Sequence, residues 1–167
     1  MDRLTVETKM IGGEAGAVSG IAWPFGKADR IGDLIERGAF KSLRLPMPML
    51  FAHDHDDPVG VWEAGEEKAD GLHLSGRLLV EEIGRAREVH ALVKAGAVRG
   101  ISIGFTTLQS IQRPGGGRTI KALDVVEASL VAIPMHPGAR VTSAKSAVEA
   151  LRVAEAITRA AAQIAAR

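Results

Sequence analysis

The chain has 167 residues, of which 46% are hydrophobic, and its 21 Lys and Arg residues nearly balance its 20 Asp and Glu residues. This is the size of one ordinary domain with enough apolar mass for a core, and the charge balance argues against a basic nucleic-acid surface or a polybasic membrane patch. The sequence has no cysteine, which excludes disulfides, thiolate catalysis and Cys-ligated zinc.

The first two thirds of the chain are predicted to be rich in β-strands, because short apolar stretches alternate with Gly, Pro and Asp. The N-terminal stretch has no basic region followed by an apolar segment, and no run of about 18 apolar residues occurs. Neither a secretory signal nor a membrane span is therefore predicted. The predicted strands cover 3–11, 16–23, 47–53, 58–64, 71–80, 100–112 and 118–133.

Two helices are predicted between these strands. The segment DLIERGAF, residues 33–40, has the pattern of a short helix that a glycine stops. The stronger pattern is EEIGRAREVHALVKAG, residues 81–96, where two glutamates suit the positive N-terminal end of a helix and Gly96 lies where a C-terminal cap is expected. Its apolar residues recur on one face, at Ile83, Ala86, Val89 and Val93.

The end of the chain is alanine-rich and has a different periodicity. Its apolar residues recur at alternating spacings of four and three, at Ala150, Ala154, Ile157, Ala161 and Ile164. This spacing is a heptad seam, which is typical of a helix that packs on its own domain or on a partner. We therefore predict one domain over residues 1–142 and a C-terminal helix over residues 143–167.

Strand parity places polar side chains in three predicted strands, because alternate residues point to opposite faces. In GISIGF, residues 100–105, three large apolar residues share one face and leave Ser102 on the other. Glu127 and Ser129 share one face of an otherwise apolar strand, and a buried carboxylate without a partner costs free energy, so Glu127 should have one. His53 ends the strand MLFAHD. A histidine, a serine and a carboxylate could thus converge.

The residues alone leave the alternatives open. A serine in a strand, a histidine at a strand end and a buried glutamate are each more often structural, and a serine nucleophile needs an adjacent base with an orienting group, which sequence spacing does not show. The run HDHDD, residues 53–57, also offers ligands that suit zinc or manganese, although neighbours in such a run point in different directions. A solvated acidic turn is the third interpretation of this run.

Four segments, taken in order, resemble the prohead maturation proteases of tailed bacteriophages, prophages and phage-derived particles. They are GAVSGIAWPFGKADRIGDLIERGAFKSL, PMLFAHDHDDPVGVW, GLHLSGRLLVEEIGRAREVHALVKAGAVRGISIGF and VVEASLVAIPMHPGARV, and they run from about Gly16 to Val141. That family is related in fold to the herpesvirus assemblins. The resemblance implies an α+β, β-rich fold: a closed or partly open β-barrel flanked by helices, here with an Ala-rich C-terminal helix.

The resemblance also implies which residues do the chemistry. The family's HD pair before Pro-x-Gly begins at His53, its S-x-G-F serine falls on Ser102, and its E-x-S-L-V acid falls on Glu127. His53 would be the general base, Ser102 the nucleophile and Glu127 the orienting acid. The resemblance also concerns the oxyanion, which related proteases stabilise with an arginine-bearing segment. Backbone N–H groups near Ala139 and Arg140 would be the donors here.

The resemblance implies a serine endopeptidase that cleaves capsid and scaffold proteins, and itself, inside an immature phage or phage-like particle in the host cytoplasm. No cofactor, metal, nucleic acid or membrane partner is expected. A homo-oligomer that forms through the C-terminal helix is expected. One alternative is a noncatalytic β-barrel protein of head assembly or scaffolding, which the joint presence of His53, Ser102 and Glu127 disfavours. The other is a metal-dependent hydrolase that uses the His/Asp run.

Overall fold

The computed structural model describes residues 15–144 and residue 159. Within this part the chain forms eight strands and a helix, and the predicted strand over residues 3–11 lies outside it. In chain order the elements are β1 (Ala17–Pro24), β2 (Leu34–Ile35), β3 (Met47–Phe51), β4 (Asp54–Lys68), β5 (Gly71–Leu78), α1 (Gly84–Lys94), β6 (Gly100–Gln112), β7 (Arg118–Val131) and β8 (Arg140–Ala144).

The strands form a sheet in the order β2-β7-β3-β4-β5-β1-β8, and β6 pairs with β7. The β2–β7 and β3–β7 pairs are parallel, whereas the other pairs are antiparallel. Since β6 pairs along the whole of β7, β2 and β3 share the opposite edge of β7. The Val141 N–H donates to the Arg99 carbonyl at 2.9 Å, which brings β8 beside the start of β6. The β-rich prediction is confirmed, but the sheet of the described residues is not a closed barrel.

The predicted helix over residues 33–40 is wrong. Leu34–Ile35 form β2, and turns follow, with Gly38 at a φ of 87°. The Asp33 carboxylate accepts a hydrogen bond from the Arg118 backbone N–H at 2.8 Å, which holds this segment extended beside β7. A contact between residues so far apart in sequence overrides the local helical pattern.

The stronger helix prediction is confirmed with shifted ends. The helix α1 begins after Ile83, whose backbone is extended, and ends before Gly96, whose φ is 76°. Its buried residues are Ala86, Val89 and Val93, which lie on the predicted face. No helix in the described part of the chain is long and apolar enough to cross a membrane.

Strand β8 corrects the predicted start of the C-terminal helix. Ser143 and Ala144 are the last residues of β8, and they pair with Ser19 and Val18 of β1. A strand therefore occupies the first positions that were assigned to the helix. The rest of the predicted helix lies outside the described residues except at residue 159, and it stays a prediction.

The core lies between the strands and one face of α1. It contains both tryptophans, and the Trp62 indole N–H donates to the Ala128 carbonyl at 2.9 Å, so this buried donor is satisfied. The largest fully buried side chains are Trp23, Trp62, Ile35, Met49, Leu72, Leu74, Leu78, Ile101, Ile120, Leu123, Leu130 and Val59. Met49, Ile101 and Leu130 of this core anchor the end of β3, the start of β6 and the end of β7.

Candidate active site

His53 lies in a tight turn between β3 and β4, not in the strand where the sequence placed it. Ala52 and His53 have φ values of 54° and 62°, in the left-handed region that non-glycine residues rarely adopt. The Ala52 N–H donates to the Leu130 carbonyl at 3.0 Å, and the His53 N–H donates to the Ser129 hydroxyl at 3.2 Å. Strand β7 therefore holds this strained turn in place.

The turn brings the His53 ring against Glu127. The distance between His53 Nδ1 and Glu127 Oε1 is 2.6 Å, and Ser129 Oγ donates to Glu127 Oε2 at 2.7 Å. The Glu127 side chain is buried, whereas the His53 side chain is 46% exposed. A carboxylate at Nδ1 favours the tautomer with its proton on that nitrogen, which leaves Nε2 as the basic nitrogen. The partner that the sequence required for Glu127 is therefore His53, together with Ser129.

Ser102 lies near the start of β6, where its backbone pairs with that of Ser129. The side chains of Ile101 and Ile103 are buried, as the parity argument predicted. Ser102 is only 5% exposed, yet it lines a cavity of about 250 Å³ together with His53. Among residues 15–144 its hydroxyl has no hydrogen-bond partner. The structure thus brings Ser102 and His53 to one cavity and joins His53 to Glu127.

Four residues near the start of β6 line the cavity. Residues from both faces of β6 line it, namely Ile101, Ser102, Ile103 and Phe105. The other walls come from β1, the loop before β2 and the loop after β7, with Ala22, Trp23, Asp29, Ile31, Asp33, Met135 and His136, and from Arg118 at the start of β7. Neighbouring residues of β6, whose side chains alternate between the two faces, thus line the same cavity as Ser102.

An ion pair between the buried Asp33 carboxylate and the partly exposed Arg118 guanidinium lines one wall of this cavity. Asp33 is 2% exposed, and its carboxylate accepts from Arg118 Nε at 3.1 Å and from Arg118 Nη2 at 2.5 Å. These hydrogen bonds hold the pKa of the Asp33 carboxyl below its ordinary value and raise the pKa of the Arg118 guanidinium. The pair ties the loop before β2 to β7. None of its hydrogen bonds involves Ser102 or His53.

The helix α1 anchors the acidic start of β4, which follows His53. Arg85 Nε donates to Asp57 at 3.0 Å, Arg85 Nη1 donates to Glu88 at 2.9 Å, and the guanidinium lies 4.8 Å from the centre of the Phe51 ring. Hydrogen bonds to Glu88 and Asp57 raise the pKa of Arg85. Phe51 and Asp57 flank the His53 turn, so one guanidinium holds both of its arms.

The remaining side chains of the His/Asp run do not gather around a common point. The Asp56 N–H donates to Asp54 Oδ1 at 2.9 Å, and these residues are exposed. Within residues 15–144, no group of three or more His, Cys, Asp or Glu side chains has the arrangement of a metal site. Only His53 of this run lies in the hairpin turn, and Asp54, His55, Asp56 and Asp57 form the largely exposed start of β4.

The two candidate oxyanion donors lie in a turn that His136 organises. The Ala139 N–H donates to the His136 carbonyl at 3.0 Å, and the Gly138 N–H donates to His136 Nδ1 at 3.0 Å. The Arg140 guanidinium donates to the Gly138 carbonyl at 3.1 Å. The Ala139 N–H is thus already used within its own turn, so it could act on an oxyanion only if this turn opened. The oxyanion role of Arg140 stays a prediction.

Sequence reasoning missed the parts that Ser129 and Arg85 play around His53. Strand parity places Ser129 on the same face as Glu127, which indicates that the two side chains are neighbours. Parity alone assigns no role to the Ser129 hydroxyl. No local pattern marks Arg85, because its partners Asp57 and Phe51 belong to a different segment.

Comparison with known proteins assigns the sequence to a family. Residues 4–153 match the caudovirus prohead serine proteases. The capsid polyprotein of Pseudomonas phage PAJU2 is 36% identical over 149 residues, which cover 85% of this chain but 22% of that protein. The prohead protease of Enterobacteria phage HK97 is 31% identical over 159 residues, which cover 89% of this chain and 70% of that protein.

A solved structure also has a similar fold. The crystal structure of KSHV protease in complex with a hexapeptide phosphonate inhibitor superimposes with a TM-score of 0.52 and 14% identity, covering 77% of this chain and 64% of that one. At this identity the similarity concerns the fold alone. The family match spans most of the sequence, including His53, Ser102 and Glu127. The chain therefore belongs to the caudovirus prohead serine protease family.

Proposed function

We propose that this chain is a serine endopeptidase with Ser102 as nucleophile, His53 as general base and Glu127 as the orienting acid. The observation that carries the proposal is the 2.6 Å contact between His53 Nδ1 and Glu127 Oε1, made by a histidine that lines the same cavity as Ser102. Membership of a serine protease family supports the same chemistry.

The proposed reaction follows the order of other serine proteases. Ser102 Oγ attacks the scissile carbonyl carbon while His53 Nε2 takes the hydroxyl proton. The tetrahedral intermediate collapses, the C–N bond breaks, and His53 delivers that proton to the leaving amine. A water molecule then attacks the acyl-enzyme with His53 again acting as base, which releases the carboxylic acid and restores Ser102.

Glu127 supports both proton transfers. Its carboxylate is buried, so its attraction for the imidazolium that forms on His53 is less screened than it would be in water. The half-exposed His53 ring keeps the opposite nitrogen free for the reacting groups. This division, with a buried acid behind an accessible base, is what a transient imidazolium requires.

The substrates that we propose are capsid and scaffold proteins, cleaved inside the immature particle, together with the protease itself. The names of the two relatives, prohead protease and capsid polyprotein, support capsid protein as substrate and a protease that releases itself. We further propose that a C-terminal helix follows the protease domain and docks onto another copy or onto the scaffold. Because β8 extends to Ala144, this helix would begin after that residue.

Labelling of Ser102 by a fluorophosphonate, located by mass spectrometry, tests the proposal. We expect Ser102→Ala to lose both the label and the processing of a coexpressed capsid protein while it stays folded. Ser75→Ala, at an exposed serine of β5, is the control and should keep both. Normal processing by Ser102→Ala would end the serine-protease proposal and favour a noncatalytic assembly protein or another enzyme.

A chelator distinguishes the proposed serine protease from a metal-dependent hydrolase. Cleavage by a serine protease should be unaffected by a strong chelator, because no step of the proposed reaction uses a metal. Activity that is lost on chelation and restored by zinc or manganese would instead assign the chemistry to the His/Asp run.

A further inference from the structure

Ser129 closes a ring of hydrogen bonds around the His53–Glu127 pair. Its hydroxyl oxygen accepts from the His53 backbone N–H at 3.2 Å, and its hydroxyl proton goes to Glu127 Oε2 at 2.7 Å. The other carboxylate oxygen of Glu127 meets His53 Nδ1 at 2.6 Å. The Ser129 hydroxyl thus contacts both the backbone of His53 and the Glu127 carboxylate that is hydrogen-bonded to the His53 ring.

The two contacts constrain the backbone of His53 and the carboxylate of Glu127. The backbone contact lies at a residue with a φ of 62°, a strained conformation that persists only when its surroundings enforce it. The carboxylate contact fixes the rotation of Glu127 about its last bond, because Oε1 and Oε2 then have different partners. Ser129 therefore contacts both the backbone of His53 and the carboxylate that meets its ring.

Burial rules out a direct role of Ser129 in the reaction. Its side chain is fully buried, and both contacts of its hydroxyl lie within the protein. The backbone of Ser129 pairs with that of Ser102, so two serines are neighbours across β6 and β7 with different surroundings. Ser102 lines the cavity, whereas the Ser129 hydroxyl is directed to Glu127.

We infer that Ser129 is a positioning residue, whose hydroxyl holds the His53 turn and the Glu127 carboxylate in the geometry that the proposed proton transfers need. The inference rests on the proposed function for the identity of the base and the acid. It adds a residue that does not touch the substrate and that acts through the other two.

Kinetics of three serine variants test this role. The substrate is a peptide copied from the cleavage junction found by mass spectrometry in processed capsid protein. Ser129→Ala should lower kcat about 10–100-fold and change KM by less than about twofold, because it disturbs the geometry of the proton transfer and not the binding of substrate. Ser129→Thr, which keeps a hydroxyl at the same position, should recover most of this loss.

Ser42→Ala is the matched control. The Ser42 hydroxyl also makes a hydrogen bond within the protein, to the Leu123 carbonyl at 2.5 Å, but it contacts neither His53 nor Glu127. It should therefore lower thermal stability as Ser129→Ala does while leaving kcat unchanged. A purely structural role of Ser129 would make the two alanine variants behave alike.

A spectroscopic measurement does not depend on activity. In the Ser102→Ala background with ¹⁵N-labelled histidine, the proton between His53 Nδ1 and Glu127 Oε1 should give a downfield resonance, since this hydrogen bond is short. Adding Ser42→Ala should leave the resonance in place, and adding Ser129→Ala should broaden or remove it. If Ser129→Ala does not fold, Ser129→Cys takes its place, because a thiol has similar volume and is a weaker donor.

The outcomes separate the inference from the proposed function. Wild-type kcat together with an unchanged resonance in Ser129→Ala would overturn the role of Ser129 while leaving Ser102, His53 and Glu127 as proposed. Normal cleavage by Ser102→Ala would overturn the proposed function and the inference with it. A lowered kcat, an altered resonance and recovery by Ser129→Thr would establish the positioning role.

Discussion

Gly104 and Glu127 lie directly opposite each other on β6 and β7, and the Glu127 carboxylate occupies the space that a side chain at Gly104 would fill. A Cβ atom added to Gly104 would lie 2.5 Å from Glu127 Oε1 and 3.0 Å from Glu127 Cγ. That oxygen is the one in contact with His53 Nδ1. A glycine two residues after Ser102 therefore determines where the proposed orienting acid can lie.

We expect Gly104→Ala to lower kcat/KM at least about tenfold, because the added methyl group displaces the carboxylate from His53. Crowding of this kind also lowers the free energy of unfolding, by about 1–3 kcal/mol. Peptide kinetics and thermal unfolding measure the two effects.

Gly84→Ala is the control for this substitution. An added Cβ atom there would lie 3.4 Å from Arg87 Nη2, the tip of a flexible side chain at the start of α1, so wild-type activity is expected. Unchanged kcat/KM in Gly104→Ala would mean that the reaction does not depend on the present location of the Glu127 carboxylate.

Variants of His53 and Glu127 should differ in severity. His53→Ala removes the base and should lower kcat about 10⁶-fold, whereas Glu127→Gln should cost less, about 10⁴-fold, because an amide still contacts the ring but does not stabilise its charge. Single-turnover kinetics with a large excess of enzyme measure such low rates. A greater loss in Glu127→Gln than in His53→Ala would assign the role of base to a different residue.

The sequence predicted the parts of the site that depend on strand periodicity. Alternation placed Ile101 and Ile103 in the core and Glu127 on a face where it needed a partner, and all three expectations hold. Period-two patterns survive folding because the sheet imposes the same alternation on every strand. The identity of the partner, His53, came from family resemblance and not from periodicity.

The parts that sequence reasoning missed depend on contacts between distant segments. The left-handed turn at Ala52 and His53 is held by the Leu130 carbonyl and the Ser129 hydroxyl, so nothing within residues 47–53 marks the end of the strand. The segment that follows Asp33 likewise has a helical pattern but is held extended by a residue of β7. Tertiary hydrogen bonds decided both cases against local propensity.

Arg85→Met should lower kcat/KM a few-fold with little effect on stability. The Arg85 pairs are partly exposed and screened by water, so they add little to stability, but they hold both arms of the His53 turn. The difference from wild type should shrink at high salt, which screens the pair with Asp57. Arg87→Met is the control, since Arg87 donates to the Val80 carbonyl and not to the turn. Equal kcat/KM of Arg85→Met and Arg87→Met at low salt would contradict this role of Arg85.

Asp33→Asn should lower the free energy of unfolding by about 1–3 kcal/mol at pH 7, because charged hydrogen bonds to Arg118 are lost. Folding lowers the pKa of Asp33 below its ordinary value of 3.8, so the folded state binds fewer protons in that range. The stabilisation is therefore complete above that value and is lost as the pH falls through the lowered pKa. Urea unfolding at a series of pH values should show the two proteins converging below about pH 3.8. A constant difference across that range would contradict the assignment.

Deletion of residues 146–167 should preserve cleavage of a peptide in solution and reduce either oligomerisation or incorporation of the protease into particles. The predicted heptad seam consists of three alanines and two isoleucines, which as an isolated helix would bury little apolar area, so a partner must supply most of its stability. The described strand β8 ends at Ala144, and this deletion leaves it intact. Sedimentation velocity and the yield of protease in purified particles measure the two losses.

A deletion that begins three residues earlier is the matched control. Removing residues 143–167 also takes away Ser143 and Ala144, which pair with Ser19 and Val18 of β1 and complete the edge of the sheet. This shorter chain should unfold at a lower temperature than the chain that ends at residue 145, because β1 loses part of its ladder while the same helix is absent from both. If the chain that ends at residue 145 is itself unfolded, the C-terminal segment belongs to the core of the protease domain, and its assignment to a partner is wrong. If the chain that ends at residue 145 is folded, enters particles and oligomerises normally, the helix has no role in docking.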